Sequence, residues 1–169
     1  RAALREALLD QLAYLVDEIE ALRGIVPRVP EPVLTARPPG EALSIKQAYG
    51  VLAVLDEAVH LPRFRRLAAE DEPAFEPLDP AGFAAHEAWD DVPIDALLAR
   101  VQAARRALVA FLRTLPPAAW ARTATVDGVL HDGYALAHAV TQHDADLLRP
   151  VGYRLHEARL TGRTGAQPQ

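Results

Sequence analysis

The sequence predicts an all-α protein: a four-helix bundle of up-down-down-up order with a long crossover between helices two and three. Three observations lead there. Four long stretches carry apolar residues at helical spacing, prolines cluster between them, and no stretch alternates as a half-buried strand does. The connection 62–92 is long enough to run back along the bundle, so the helices it joins lie parallel rather than as a tight hairpin.

The first helix spans residues 2–23, with Leu4, Leu8, Leu12, Leu15, Ile19 and Leu22 on one face and most of its carboxylates elsewhere. Gly24 stands where a left-handed C-terminal cap is cheapest. The second helix opens on a capping box, Ser44-Ile45-Lys46-Gln47, and runs to about Leu61, where Pro62 kinks or ends it. At ~100° per residue, Ala48, Val51, Leu52, Val54, Leu55, Ala58 and Val59 share a sector centred near Val51, with His60 opposite. The third helix runs from Pro93 to about Leu115 and buries Leu97, Leu98, Val101, Ala104, Leu108, Phe111 and Leu112. The fourth covers 131–149, ahead of Pro150. Leu136, Val140 and Leu147 are at its apolar centre, flanked by His143 and Asp144. One domain covers 1–160, with a flexible tail over 161–169.

Composition narrows the function. Eighteen Lys and Arg face 23 Asp and Glu, a net charge of −5, which speaks against a nucleic-acid partner. Without cysteine there is no disulfide, thiolate metal site or cysteine nucleophile, so a metal would need His, Asp or Glu. No apolar run approaches the ~20 residues of a membrane span, and no leader pattern opens the chain, which points to the cytoplasm. No nucleophile motif, phosphate loop or zincin signature is present, and Asp127-Gly128 reads only as a turn.

Three places resemble the DinB/YfiT-like family of four-helix bundles. They are Pro38-Pro39-Gly40-Glu41-Ala42-Leu43-Ser44-Ile45-Lys46-Gln47, Pro62-Arg63-Phe64-Arg65-Arg66-Leu67 with Glu70-Asp71-Glu72-Pro73, and His143-Asp144. The resemblance implies a divalent ion, nickel or zinc, held by one histidine from helix two and two from helix four, four residues apart. Family members with that centre include thiol-dependent transferases and isomerases. Matching the motifs puts Val51 and Leu147 at two of the three ligand positions and Leu43 at the signature tryptophan. Only His143 remains, and one imidazole does not hold a catalytic metal against water. The reading is therefore no cofactor, in a protein that binds a small ligand or acts without catalysis. The alternative is a divalent-metal hydrolase or thiol-dependent transferase with a rearranged site.

His143 is read as a remnant ligand or a core histidine, and Asp146, one turn on, as an alternative ligand. Asp144 aims near the core, where a carboxylate needs a partner; Arg105 and Tyr49 are the candidates. His60, His138 and His156 read as surface or interface residues, and His86 and His131 as loop or helix-end residues. Arg63, Arg65 and Arg66 form a solvated basic patch or a grip for an anion. Trp89 and Trp120 read as anchors for the two long connections. The broad apolar faces of helices one and three, with the resemblance, imply a homodimer.

Overall fold

A computed structural model describes residues 1–164. Helix α1 (Ala2–Arg23) buries Leu8, Leu9, Leu12, Leu15 and Ile19, while Leu4 is left exposed. Gly24 does not take the left-handed cap: its φ of −81° carries the chain, still right-handed, into a 3-10 turn over Val26–Arg28. A short helix α2 (Glu31–Thr35) leads to α3 (Ile45–Leu55), every residue of which is buried. The capping box forms as expected, with the Gln47 amide donating to Ser44 Oγ and the Ser44 amide to Gln47 Oε1, both at 3.0 Å.

The second bundle helix does not end at Pro62. A π-turn over Asp56–His60, closed by the Leu61 amide donating to the Asp56 carbonyl, joins α3 to α4 (Leu61–Ala69). The wider turn makes room for a proline ring that lacks an N–H and would otherwise strike the carbonyl four residues back. It also shifts the phase of the residues beyond it by up to about 100°, the rotation of one residue.

Helix α5 (Ile94–Thr114) follows the crossover, and α6 (Pro117–Trp120) is a single turn. A small sheet then departs from the all-helical expectation. Strands β2 (Thr123–Val126) and β3 (Val129–Asp132) pair antiparallel, with Thr125 opposite Leu130, and β1 (Ala74–Phe75) joins β2 in parallel. The pair Asp127-Gly128 turns the hairpin at φ 52° and 74°, conformations that suit a type I′ turn. Helix α7 begins at Gly133, because β3 occupies 129–132, and runs past Pro150 to Thr164. Val151 is buried in the core, and Arg154 donates to the Leu43 and Ala36 carbonyls, which holds the helix beyond the proline. Residues 161–164, assigned above to a tail, are helical; 165–169 lie outside the described residues.

Contacts fix the helix directions. Arg1 reaches Asp132 and Arg23 reaches Asp95, so α1 runs parallel to α7 and antiparallel to α5. Leu43 meets Arg154 and Glu57 meets Arg100, so α3 runs antiparallel to α7 and parallel to α5. The order is up-down-down-up.

Two apolar clusters fill the bundle. One contains Leu15, Ile19, Leu55, Val101 and Leu147; the other contains Leu12, Phe64, Leu108 and Val140. All four bundle helices pass from one cluster to the other at the same level. Asp56, His60, Arg105 and Thr141 lie there as buried polar side chains, with His143 and Asp144 beside them. The bundle therefore carries one polar layer between two hydrocarbon halves.

Candidate functional site

Arg105 is the centre of that layer and is fully buried. Its Nε and Nη2 donate to Asp56 at 2.7 and 3.2 Å, and its Nη1 and Nη2 donate to Asp144 at 2.8 and 2.7 Å. A fifth bond, at 3.3 Å, goes from Nη1 to the Leu12 carbonyl. All five N–H groups of the guanidinium are thus used, which is what a buried cation requires. Burial alone would lower the Arg105 pKa, but Asp56 and Asp144 outweigh it and the net shift is upward. Burial pushes Asp56 up to about 6 against the pull of Arg105, so the pair remains ionised at neutral pH.

Asp144, expected to meet Arg105 or Tyr49, meets Arg105. Its side chain is 15% exposed and opens onto a groove of about 410 Å³ between α1 and α7, bordered by Tyr14, Glu18, Thr141, Leu148 and Arg149. Two carboxylates share one guanidinium here, so the layer carries an excess negative charge. Burial and then the charge of Asp144 push the Glu18 pKa upward across the groove.

His60 corrects the sequence reading. It is 4% exposed rather than a surface residue, and its ring stacks on that of His143 with centroids 5.9 Å apart at 22°. The π-turn brings it inward. The signal in the sequence is Pro62 inside an unbroken helical pattern, which a π-turn accommodates. Burial, with the charge of Arg105 next, lowers the His60 pKa to about 3, and burial also lowers that of His143. Both rings are therefore neutral at pH 7. Sequence reasoning misses Asp56 altogether; it sits in the first position of the same turn.

The remaining candidates separate. Val51 is fully buried and Leu147 is 9% exposed, and both belong to the same apolar cluster. Asp146 is exposed and acts on His143 only through its charge. His86, His138 and His156 are exposed. Arg65 lies over Phe111, Arg66 pairs with Glu70, and Arg63, half-buried, donates to the Glu76 carbonyl. Trp89 and Trp120 are both buried, Trp89 against Gly50 in the crossover and Trp120 beside Phe64 and Tyr134.

Two imidazoles, those of His60 and His143, are together where the resemblance calls for three. Of the three positions that the resemblance assigns, Val51 and Leu147 carry hydrocarbon, but the second-helix side chain that faces His143 is His60, nine residues and about 13 Å along the helix from Val51, which corrects the match at that position. Among the described residues, no three His, Asp or Glu side chains are grouped to hold an ion.

Known proteins share this architecture. The family model of the DinB superfamily matches residues 3–148. No curated protein matches the chain. Among solved structures the chain is similar to YfiT from Bacillus subtilis, described as a probable metal-dependent hydrolase with an unusual four-helix bundle topology. The TM-score is 0.65 at 17% identity, over 88% of this chain and 87% of that one. At that identity the likeness speaks for the fold.

Proposed function

This chain belongs to the DinB superfamily, and we propose that within it the protein has exchanged the three-histidine metal centre for hydrocarbon and binds a small ligand without metal-dependent catalysis. The observation that carries this reading is the burial of Val51 and Leu147 in one apolar cluster. An aliphatic side chain offers no lone pair, and His143 with His60 supplies only two of the three imidazoles that such a centre needs. Ligand access is through the groove over Asp144, with Arg105 and Asp56 holding that carboxylate in place. Elemental analysis of untagged, dialysed protein tests the reading. Only traces of nickel or zinc are expected, and a stoichiometric ion overturns it.

One observation favours a second reading, a hydrolase or thiol-dependent transferase with a rearranged site. His60 lies against His143, so two imidazoles rather than one are together. Under that reading the protein retains a divalent ion, and His60→Leu and His143→Leu each release it.

We also propose that the protein acts in the cytoplasm as a homodimer. Tyr14 on α1 and Tyr153 on α7, 59% and 66% exposed, are large apolar side chains left at the surface and support an association. Among the described residues no helix is long and apolar enough to cross a membrane.

A further inference from the structure

From the side chains around the His60–His143 stack, and resting on the reading that no metal occupies these histidines, we infer that Arg63, His60 and His143 form a binding site for a small organic carboxylate. A void of about 10 Å³, the size of one oxygen or one water, is bordered by these three residues. Its other walls, Phe64, Leu136, Ala139 and Val140, are apolar, so no carboxylate of the protein lines it. Asp144 and Asp146, whose charges act on His143, lie outside that lining.

Two groups here are incompletely used by the fold. His60 is only 4% exposed, yet among the described residues neither ring nitrogen has a hydrogen-bond partner. Its nitrogens are not among the fully enclosed unpartnered atoms, which among the described residues are Arg5 Nε and Trp120 Nε1, so they keep accessible surface that a ligand could use. Arg63 is half-buried and donates to the Glu76 carbonyl, but among the described residues no carboxylate pairs with it. By contrast, Arg66, on the same helix, has Glu70. A guanidinium accepts a carboxylate in two parallel bonds, and a neutral imidazole supplies one N–H each. One carboxylate oxygen fills the void and receives the imidazole N–H groups, while Arg63 holds the anion at the rim.

Arg63 also borders a second groove, of about 320 Å³, with Pro62, Phe75, Pro77 and Phe83 on its walls, and its guanidinium lies 5.4 Å from the Phe75 ring centre. The apolar body of the ligand rests there. This combination selects a monocarboxylic acid with an aromatic or aliphatic body over inorganic phosphate, which has no apolar part to rest in the second groove.

The test is an NMR titration of the full chain with sodium phenylacetate, observing the imidazole nitrogens of His60 and His143 and the Arg63 Nε, with sodium chloride at matched ionic strength as control. Saturable shifts of all three groups with phenylacetate and none with chloride are expected. Arg63→Gln, which removes a partly exposed side chain, should weaken binding at least about tenfold. His143→Gln should weaken it while the fold stays intact by its amide spectrum. Equal shifts with chloride, tighter binding of inorganic phosphate, or wild-type affinity in Arg63→Gln overturn the inference. Elemental analysis of the same sample separates the two claims. Metal-free protein that ignores phenylacetate overturns this inference alone, whereas a retained stoichiometric ion overturns both.

Discussion

Arg105 shows how a single residue sets the middle of this bundle. A guanidinium with five acceptors is stable where it sits, but its two carboxylates are stable only because it is there. Replacing it with methionine leaves Asp56 buried without the cation that keeps it ionised, so the carboxyl must take up a proton or stay unpaired. We expect Arg105→Met to lose about 3–5 kcal/mol in urea unfolding. His60 gives the layer a pH signature. Its folded pKa of about 3 lies below the ordinary 6.5, so the unfolded chain takes up a proton that the folded chain refuses. Stability is complete above about pH 6.5 and falls as the pH drops towards 3. Asp56 works in the opposite sense: its value of about 6 lies above 3.8, so its contribution declines as the pH rises through that interval. His60→Leu isolates the first effect, since Asp56 is common to both proteins. Between pH 6.5 and about pH 5 the wild type should lose stability relative to the variant by at most about 1.4 kcal/mol per pH unit. Parallel pH profiles would show that the imidazole has no part in the acid response.

At the scale of elements, the crossover is held to α3 by one close approach. A Cβ built on Gly50 would lie 2.3 Å from the Trp89 ring, and Trp89 is 1% exposed. Arg100 lies over that ring at 5.3 Å and ties Glu57 to Glu87. Gly50→Ala should therefore cost about 1–3 kcal/mol by overpacking and shift Trp89 fluorescence, while a mere helix-propensity effect would stabilise. The elements also show how far the sequence is legible. Apolar period and the Ser44–Gln47 box reveal the four bundle helices and the start of α3, because those signals are local. The course of the chain past Pro62 and Pro150 is not legible, since a π-turn and the tertiary anchors Val151 and Arg154 override a local breaker. Strands β1–β3 escape for a similar reason: they are two to four residues long and exist only because the hairpin at Asp127-Gly128 meets Ala74–Phe75. The Arg105–Asp144 contact is visible from the helical wheel; the partnership of His60 and His143 depends on a rotation that the sequence period does not contain.

For the whole molecule, two clusters of hydrocarbon on either side of a charged layer hold the family's bundle together. Leu147, one turn beyond His143, extends the apolar cluster up to the edge of that layer. A dimer is the assembly we expect, seen as a light-scattering mass of twice the 18.4 kDa chain; a monomeric mass over the micromolar range would contradict it. The most direct measurement is the metal content of untagged wild-type protein beside Leu147→His, which adds a third imidazole one turn from His143, each dialysed after exposure to nickel or zinc. Traces in the wild type and one ion per chain in the variant are expected. One ion per chain in the wild type would contradict the loss of the metal centre.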